Sequence, residues 1–169
     1  MDEFRTVALV GATITTGLIA GLYYGFACAV MPGLRRADDR TFVDGMQWIN
    51  VRILNGWFAL GFGGSLVLTL LAGALHLPGD APDGPLPWIG AAAVLYVLTL
   101  VSTFAVNIPL NDELAAAGDP GSAGASALAA VRERFETRWV RWNLFRAVAA
   151  TGALGCLIWA LVLYGRATP

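Results

Sequence analysis

The run VALVGATITTGLIAGLYYGFACAVM, Val7 to Met31, holds 25 residues without a charge. As a helix it would be ~37 Å long, more than the ~30 Å hydrocarbon core of a bilayer, so it predicts a membrane span. Three further apolar runs follow at about 53–77, 86–110 and 144–164, separated by polar or Pro/Gly-rich connections. Inside lipid the backbone must satisfy its own hydrogen bonds, and continuous apolar runs of this length do so as helices. The expectation is therefore all-α: a single domain over 1–169 built as a membrane-spanning four-helix up-and-down bundle.

Composition agrees. With 57% hydrophobic side chains in 169 residues and a mean hydropathy of +0.63, the chain carries more apolar surface than a soluble core of its size would bury. All 11 basic residues are Arg and the net charge is −1, which excludes a nucleic-acid footprint. Phe26-Ala27-Cys28-Ala29 has the look of a cleavage site, but Met1-Asp2-Glu3-Phe4-Arg5 lacks a basic leader, so the first run reads as a permanent helix. Cys28 and Cys156 both lie in apolar runs, where small buried side chains are the plain reading.

Gly17, Gly21 and Gly25 recur every four residues, the spacing of a glycine zipper that lets a second helix come close, within the bundle or in a homo-oligomer. Pro32-Gly33 should end the first helix. Asp38 or Asp39 can cap a second helix that runs on into the second span, placing Trp48, Arg52 and Asn55 on one stripe. Pro78 to Pro85 reads as a short turn and 115–126 as a flexible Ala/Gly loop. Leu128, Val131, Phe135, Trp139 and Trp142 then share a face, an amphipathic lead-in to the fourth span. His76, the lone histidine, belongs at a helix end, and one histidine without an intramembrane carboxylate predicts no His-ligated metal.

The first connection carries Arg35, Arg36, Arg40 and Arg52 and the third Arg132, Arg134, Arg138 and Arg141, against single arginines near the termini. By the positive-inside rule the first and third connections are cytoplasmic and both termini outside. Alternating spans then gather Asn50, Arg52, Asn55, Asn107, Asn111, Asp112, Asn143 and Arg146 at the cytoplasmic face. Val106-Asn107-Ile108-Pro109-Leu110-Asn111-Asp112-Glu113 closes the third run with amides and acids, and Pro109 should kink or end the helix there. On the fourth, Trp139, Trp142, Asn143 and Arg146 follow helical spacing. An arginine inside an apolar run costs about 2.5–3.5 kcal/mol at mid-depth unless paired or hydrated; near a helix end it can snorkel to the interface, and turned inward its expected partners are Asp112, Glu113, Asn107 and Asn111.

Asn107-Ile108-Pro109-Leu110-Asn111-Asp112, with Arg138-Trp139-Val140-Arg141-Trp142-Asn143-Leu144-Phe145-Arg146, resembles the anthrone-oxygenase-like family of small integral membrane proteins. Gly25, Met31-Pro32 and Trp48-Ile49-Asn50 extend the resemblance over nearly the whole chain. It implies a four-helix membrane protein and, for some members, oxidation of an anthrone to an anthraquinone by dioxygen with no recognised cofactor. Such chemistry needs a base, donors for an oxyanion and exclusion of water. Asp112 would be the base. Arg146, Asn107, Asn111 and Asn143 would hold the oxyanion. Trp139 and Trp142 would stack on a flat, hydrophobic small-molecule substrate, with Trp48, Asn50, Arg52 and Asn55 beside them. The alternative is a non-catalytic small-molecule-binding or structural membrane protein in which the cluster staples helix ends.

Overall fold

A computed structural model describes residues 2–77 and 84–167, and every regular element among them is helical. Four helices are long and apolar enough to cross a membrane: α1 (Asp2–Leu34), α3 (Gly56–His76), α4 (Leu86–Ala115) and α5 (Ala125–Ala167). A fifth, α2 (Asp39–Arg52), connects the first two. The turn expected at Pro78 to Pro85 falls mostly outside the described residues.

The spans close a ring in which α1 and α4 sit on opposite corners, each packed against both α3 and α5. Small side chains let the axes approach: Ala8, Ala12 and Ala20 of α1 meet Ala72 of α3 and Ala147, Ala150, Ala153 and Ala160 of α5 in one core. Leu9, Ile19, Tyr96 and Leu157 fill the space between. The expected glycine seam is not part of this packing. A Cβ at Gly17 would make only ordinary contact with Leu154, 3.5 Å away, and at Gly21 or Gly25 it would meet nothing within 4 Å. The reason is angular: Gly21 lies on the stripe of Ile14, Leu18 and Tyr24, the face α1 turns outward.

A second core lies at the end where α1 and α4 finish. Phe26 and Met31 of α1, Phe42, Val43 and Met46 of α2, Leu110 and Leu114 of α4, and Leu128, Phe135 and Trp139 of α5 pack together. At ~1.5 Å per residue the 43 residues of α5 are twice the ~30 Å hydrocarbon thickness, so its first half is the amphipathic lead-in that builds this head. Arg132 fastens it. Its guanidinium donates to the carbonyls of Arg35 and Ala37, pairs with Asp39 and Glu136 at 3.0 and 2.9 Å, and lies 4.4 Å over the Phe42 ring.

Two boundaries differ from expectation. The side chain of Asp38 does cap α2, accepting from the Thr41 amide, but α2 stops at Arg52 and does not run on into the second span. Asn55 adopts an extended conformation (φ −133°, ψ 170°) and caps α3 by accepting from the Phe58 amide, which breaks the Trp48–Arg52–Asn55 stripe. Pro32 falls in the last turn of α1, which ends at Leu34 as expected, whereas α4 runs on past Pro109 to Ala115. A five-residue π turn precedes each, Phe26–Val30 in α1 and Thr103–Asn107 in α4, and the helix resumes through the proline. Proline lacks an N–H and its ring crowds the carbonyl four residues back. Those carbonyls, of Cys28 and Ala105, lie within the widened turns, which make room for the ring.

Candidate functional site

Both π turns face one cavity of about 800 Å³, set between the membrane core and the head and bounded by all five helices. Its walls are apolar: Leu22 and Phe26 from α1, Ile49 from α2, Leu54 from the α2–α3 elbow, Phe58 and Phe62 from α3, Phe104 and Ile108 from α4. Phe58 and Phe62 stack at 5.0 Å, and Phe62 approaches Phe104 at 6.2 Å across the α3–α4 seam. Just above, the Tyr96 hydroxyl donates to the Phe62 carbonyl at 2.8 Å and closes that seam. Below it the cavity opens past Leu54, Phe104 and Ile108, all on the exposed surface of the bundle.

The floor is polar and buried. Arg146, 5% exposed, donates from Nη2 to Asn143 Oδ1 at 3.1 Å and from Nη1 to Thr103 Oγ1 at 3.3 Å. Asn143 in turn donates to the Tyr23 carbonyl at 3.0 Å, beside the π turn of α1 where the backbone ladder is loosened. The guanidinium carbon stands 4.4 Å from the Tyr23 ring centre and 5.5 Å from that of Trp139. The Tyr23 hydroxyl is next to the guanidinium and Thr103, yet neither it nor Arg146 Nε makes a hydrogen bond of ordinary geometry. No carboxylate of the described residues lies within 4.0 Å of Arg146. Its charge is therefore offset by ring faces and neutral oxygens rather than by a counter-ion.

Asn107 completes the floor. It is the last residue of the α4 π turn, 1% exposed, and both its amide nitrogen and its carbonyl oxygen lack partners. Asn50, half-buried on α2, likewise leaves its amide nitrogen unpaired. Native proteins pair more than nine in ten buried polar groups, so the two amides leave hydrogen-bonding capacity unfilled on one cavity.

Of the residues singled out from sequence, Trp48, Asn50, Asn107, Asn111, Asp112, Trp139, Asn143 and Arg146 line this cavity. Their arrangement departs from expectation in several respects. Arg146 is bound by Asn143 and Thr103, not by Asp112, Glu113, Asn107 or Asn111. Asp112 stands exposed at the mouth, because five residues beyond Asn107 it is turned about 140° round the helix from the floor. Asn111 is taken up by Trp139, whose Nε1 donates to its Oδ1 at 2.9 Å. The indoles do not form a stacking pair: Trp139 is packed between Phe26, Phe135 and Arg146, while Trp142 sits outside against Phe145. At about 100° per residue, Trp139, Asn143 and Arg146 span an arc of about 60°, and Trp142 lies about 40° beyond its Arg146 edge. Arg52 lies over the outer face of Trp48 and Asn55 is spent as a cap, so neither reaches the cavity.

Tyr23, Phe26, Gln47 and Thr103 line the site without having been singled out. Gln47 holds the α4 exit by donating to the carbonyls of Leu114 and Gly118. Tyr23 and Thr103 each precede a proline by two turns or so, a signal legible only once those prolines are known to follow π turns. His76 is at the far end of the bundle, buried, its Nδ1 2.7 Å from the Ala72 carbonyl and its ring edge-on to Tyr164.

No curated protein and no solved structure matches this chain. One family's sequence profile does, anthrone oxygenase, over residues 55–156. That stretch takes in α3, α4 and α5 as far as Cys156, and with them Asn107, Asn111, Asp112, Trp139, Asn143 and Arg146; Tyr23, Trp48 and Asn50 precede it. As the match spans more than half of the sequence, the chain belongs to the anthrone oxygenase family.

Proposed function

We propose that the protein is a membrane-embedded oxygenase acting on a flat, lipophilic aromatic or polyketide-like molecule of anthrone type, with dioxygen as oxidant. The observation that carries this reading is Asn107, fully buried with both amide atoms unpaired, beside Arg146 at the base of an apolar cavity. In the reaction, the ring methylene of the anthrone loses one proton and the electrons delocalise onto the carbonyl oxygen. Dioxygen accepts them and bonds to the methylene carbon as a peroxide. Loss of the second C–H proton with cleavage of the O–O bond leaves a carbonyl on carbon and releases water, so one oxygen atom goes to each product.

Arg146 and Asn107 hold the developing enolate oxygen, Asn143 and Thr103 orient the guanidinium, and Asp112 at the mouth takes the first proton. The aromatic walls and the Tyr96–Phe62 closure keep bulk water from the carbanion. In the cell, the arginine-rich head faces the cytoplasm and both termini lie outside. Oxygen uptake by the purified protein with an anthrone such as 1,8-dihydroxyanthrone tests the activity. The expected result is consumption of one dioxygen per anthraquinone formed, lost in Arg146→Gln. A second reading, a non-catalytic binding protein, draws on the exposure of Asp112, which leaves the floor without a buried base. Substrate-saturable binding without oxygen uptake, for this and related hydroxyanthrones, would favour it.

A further inference from the structure

We infer that the cavity selects for oxyanions: flat aromatic molecules whose ionised oxygen, an acid's own or the enolate's, sits on Arg146 while the aromatic body fills the apolar walls. The inference deepens the oxygenase reading by naming its substrate class, and it rests on that reading only for the chemistry that follows binding. Arg146 is 5% exposed and has no carboxylate partner, and its Nε makes no hydrogen bond. A buried cation normally recruits a carboxylate, because its desolvation is otherwise uncompensated. Here the neighbours are Tyr23, Trp139, Thr103 and Asn143, all neutral, which steady the guanidinium without cancelling its charge. The unpaired Asn107 nitrogen adds a neutral donor to the same floor.

Three carboxylates also line the cavity, Asp44, Asp112 and Asp119, and all are exposed at its rim. Water screens them, whereas the guanidinium acts in a low-dielectric pocket where the same charge has several times the effect. An anion bound at the floor is thus attracted more strongly than the rim repels it.

The experiment compares 9-anthracenecarboxylate with 9-anthracenemethanol, which share one tricyclic body and differ in charge at pH 7. Binding is read without an anthrone present, from quenching of tryptophan fluorescence in detergent micelles. We expect the carboxylate to bind at least about 10-fold more tightly, as charge-assisted hydrogen bonds to a buried donor imply. Arg146→Gln should reduce this preference to near unity with the alcohol still bound, and Arg146→Lys should keep most of it. Equal affinities in the unmodified protein, binding of neither probe, or a preference that survives Arg146→Gln would overturn the inference. If Arg146→Gln fails to fold, the comparison in the unmodified protein alone decides. Anion preference without oxygen uptake sinks the oxygenase reading and leaves this inference standing, and oxygen uptake without preference does the reverse.

Discussion

Asn107 and Asn143 are both buried amides one helix apart, yet they do opposite things. Asn143 uses both ends of its side chain, on the Tyr23 carbonyl and on Arg146, while Asn107 uses neither. An unpaired buried polar group costs about 1–3 kcal/mol, so Asn107→Leu, which is close in volume, should leave the thermal midpoint in detergent unchanged or raise it. It should also abolish oxygen uptake. A fall in the midpoint would show that the amide holds the fold together. Asn143→Ala should behave the other way, lowering stability by about 1–3 kcal/mol, because a backbone carbonyl and a buried guanidinium both lose a partner. Calorimetry of the two variants side by side separates ligand-facing amides from stapling ones.

At the scale of elements, the head depends on the contact between the α1–α2 turn and the lead-in of α5. Burial by itself raises the Glu136 carboxyl, but hydrogen bonds from Arg35 and Arg132 and their charges outweigh it and hold it below the ordinary carboxylate range. A carboxylate depressed in the folded state adds stability above its unfolded value of about 4.3, and that stability is lost as pH falls through the folded value. Glu136→Gln should therefore be less stable than the parent at pH 7, with the difference shrinking toward zero as pH falls below the ordinary carboxylate range. A difference independent of pH would mean that packing, not charge, fixes the turn. The π turns belong to this scale as well. Pro109→Ala lets the α4 ladder close into a regular helix, which would swing Asn107 off the floor, so helix content measured by circular dichroism should hold while activity falls.

For the molecule as a whole, the ring of spans leaves the Gly21 face of α1 unused within one chain. Gly21→Leu should change the thermal midpoint little, within the ~0.5 kcal/mol typical of surface sites. A large loss would reveal a second copy of the chain packed on that stripe, and the oligomeric state in detergent would change with it. Orientation rests on the arginine count. In a background where Cys28 and Cys156 are replaced by Ser, cysteines at Gly84 and at Gly124 should differ: Gly84→Cys labelled by an impermeant maleimide from outside intact cells, Gly124→Cys protected. Labelling of position 124 alone would reverse the orientation.

Four apolar runs longer than the bilayer, with polar breaks between them, determined the spans and their alternation, because a backbone in lipid has almost no other way to satisfy itself. The same local logic extended to the Asp38 cap and to the burial of Leu128, Phe135 and Trp139, whose spacing along one helix leaves little choice of face. It also placed Asn107, Asn143 and Arg146 at one end of the bundle. Which groups they touch was decided only by the tertiary structure. Helical spacing specifies direction from an axis, but partners depend on how axes are set around the ring, and α1, far away in sequence, supplies the Tyr23 carbonyl and ring that Asn143 and Arg146 use. The glycine seam did not form within the bundle for the same reason: spacing marks a face as able to receive a helix, and the ring closed through the alanines instead. The π turns were hidden too, since a proline read alone looks like a helix end and the extra residue that absorbs it appears only in the folded backbone.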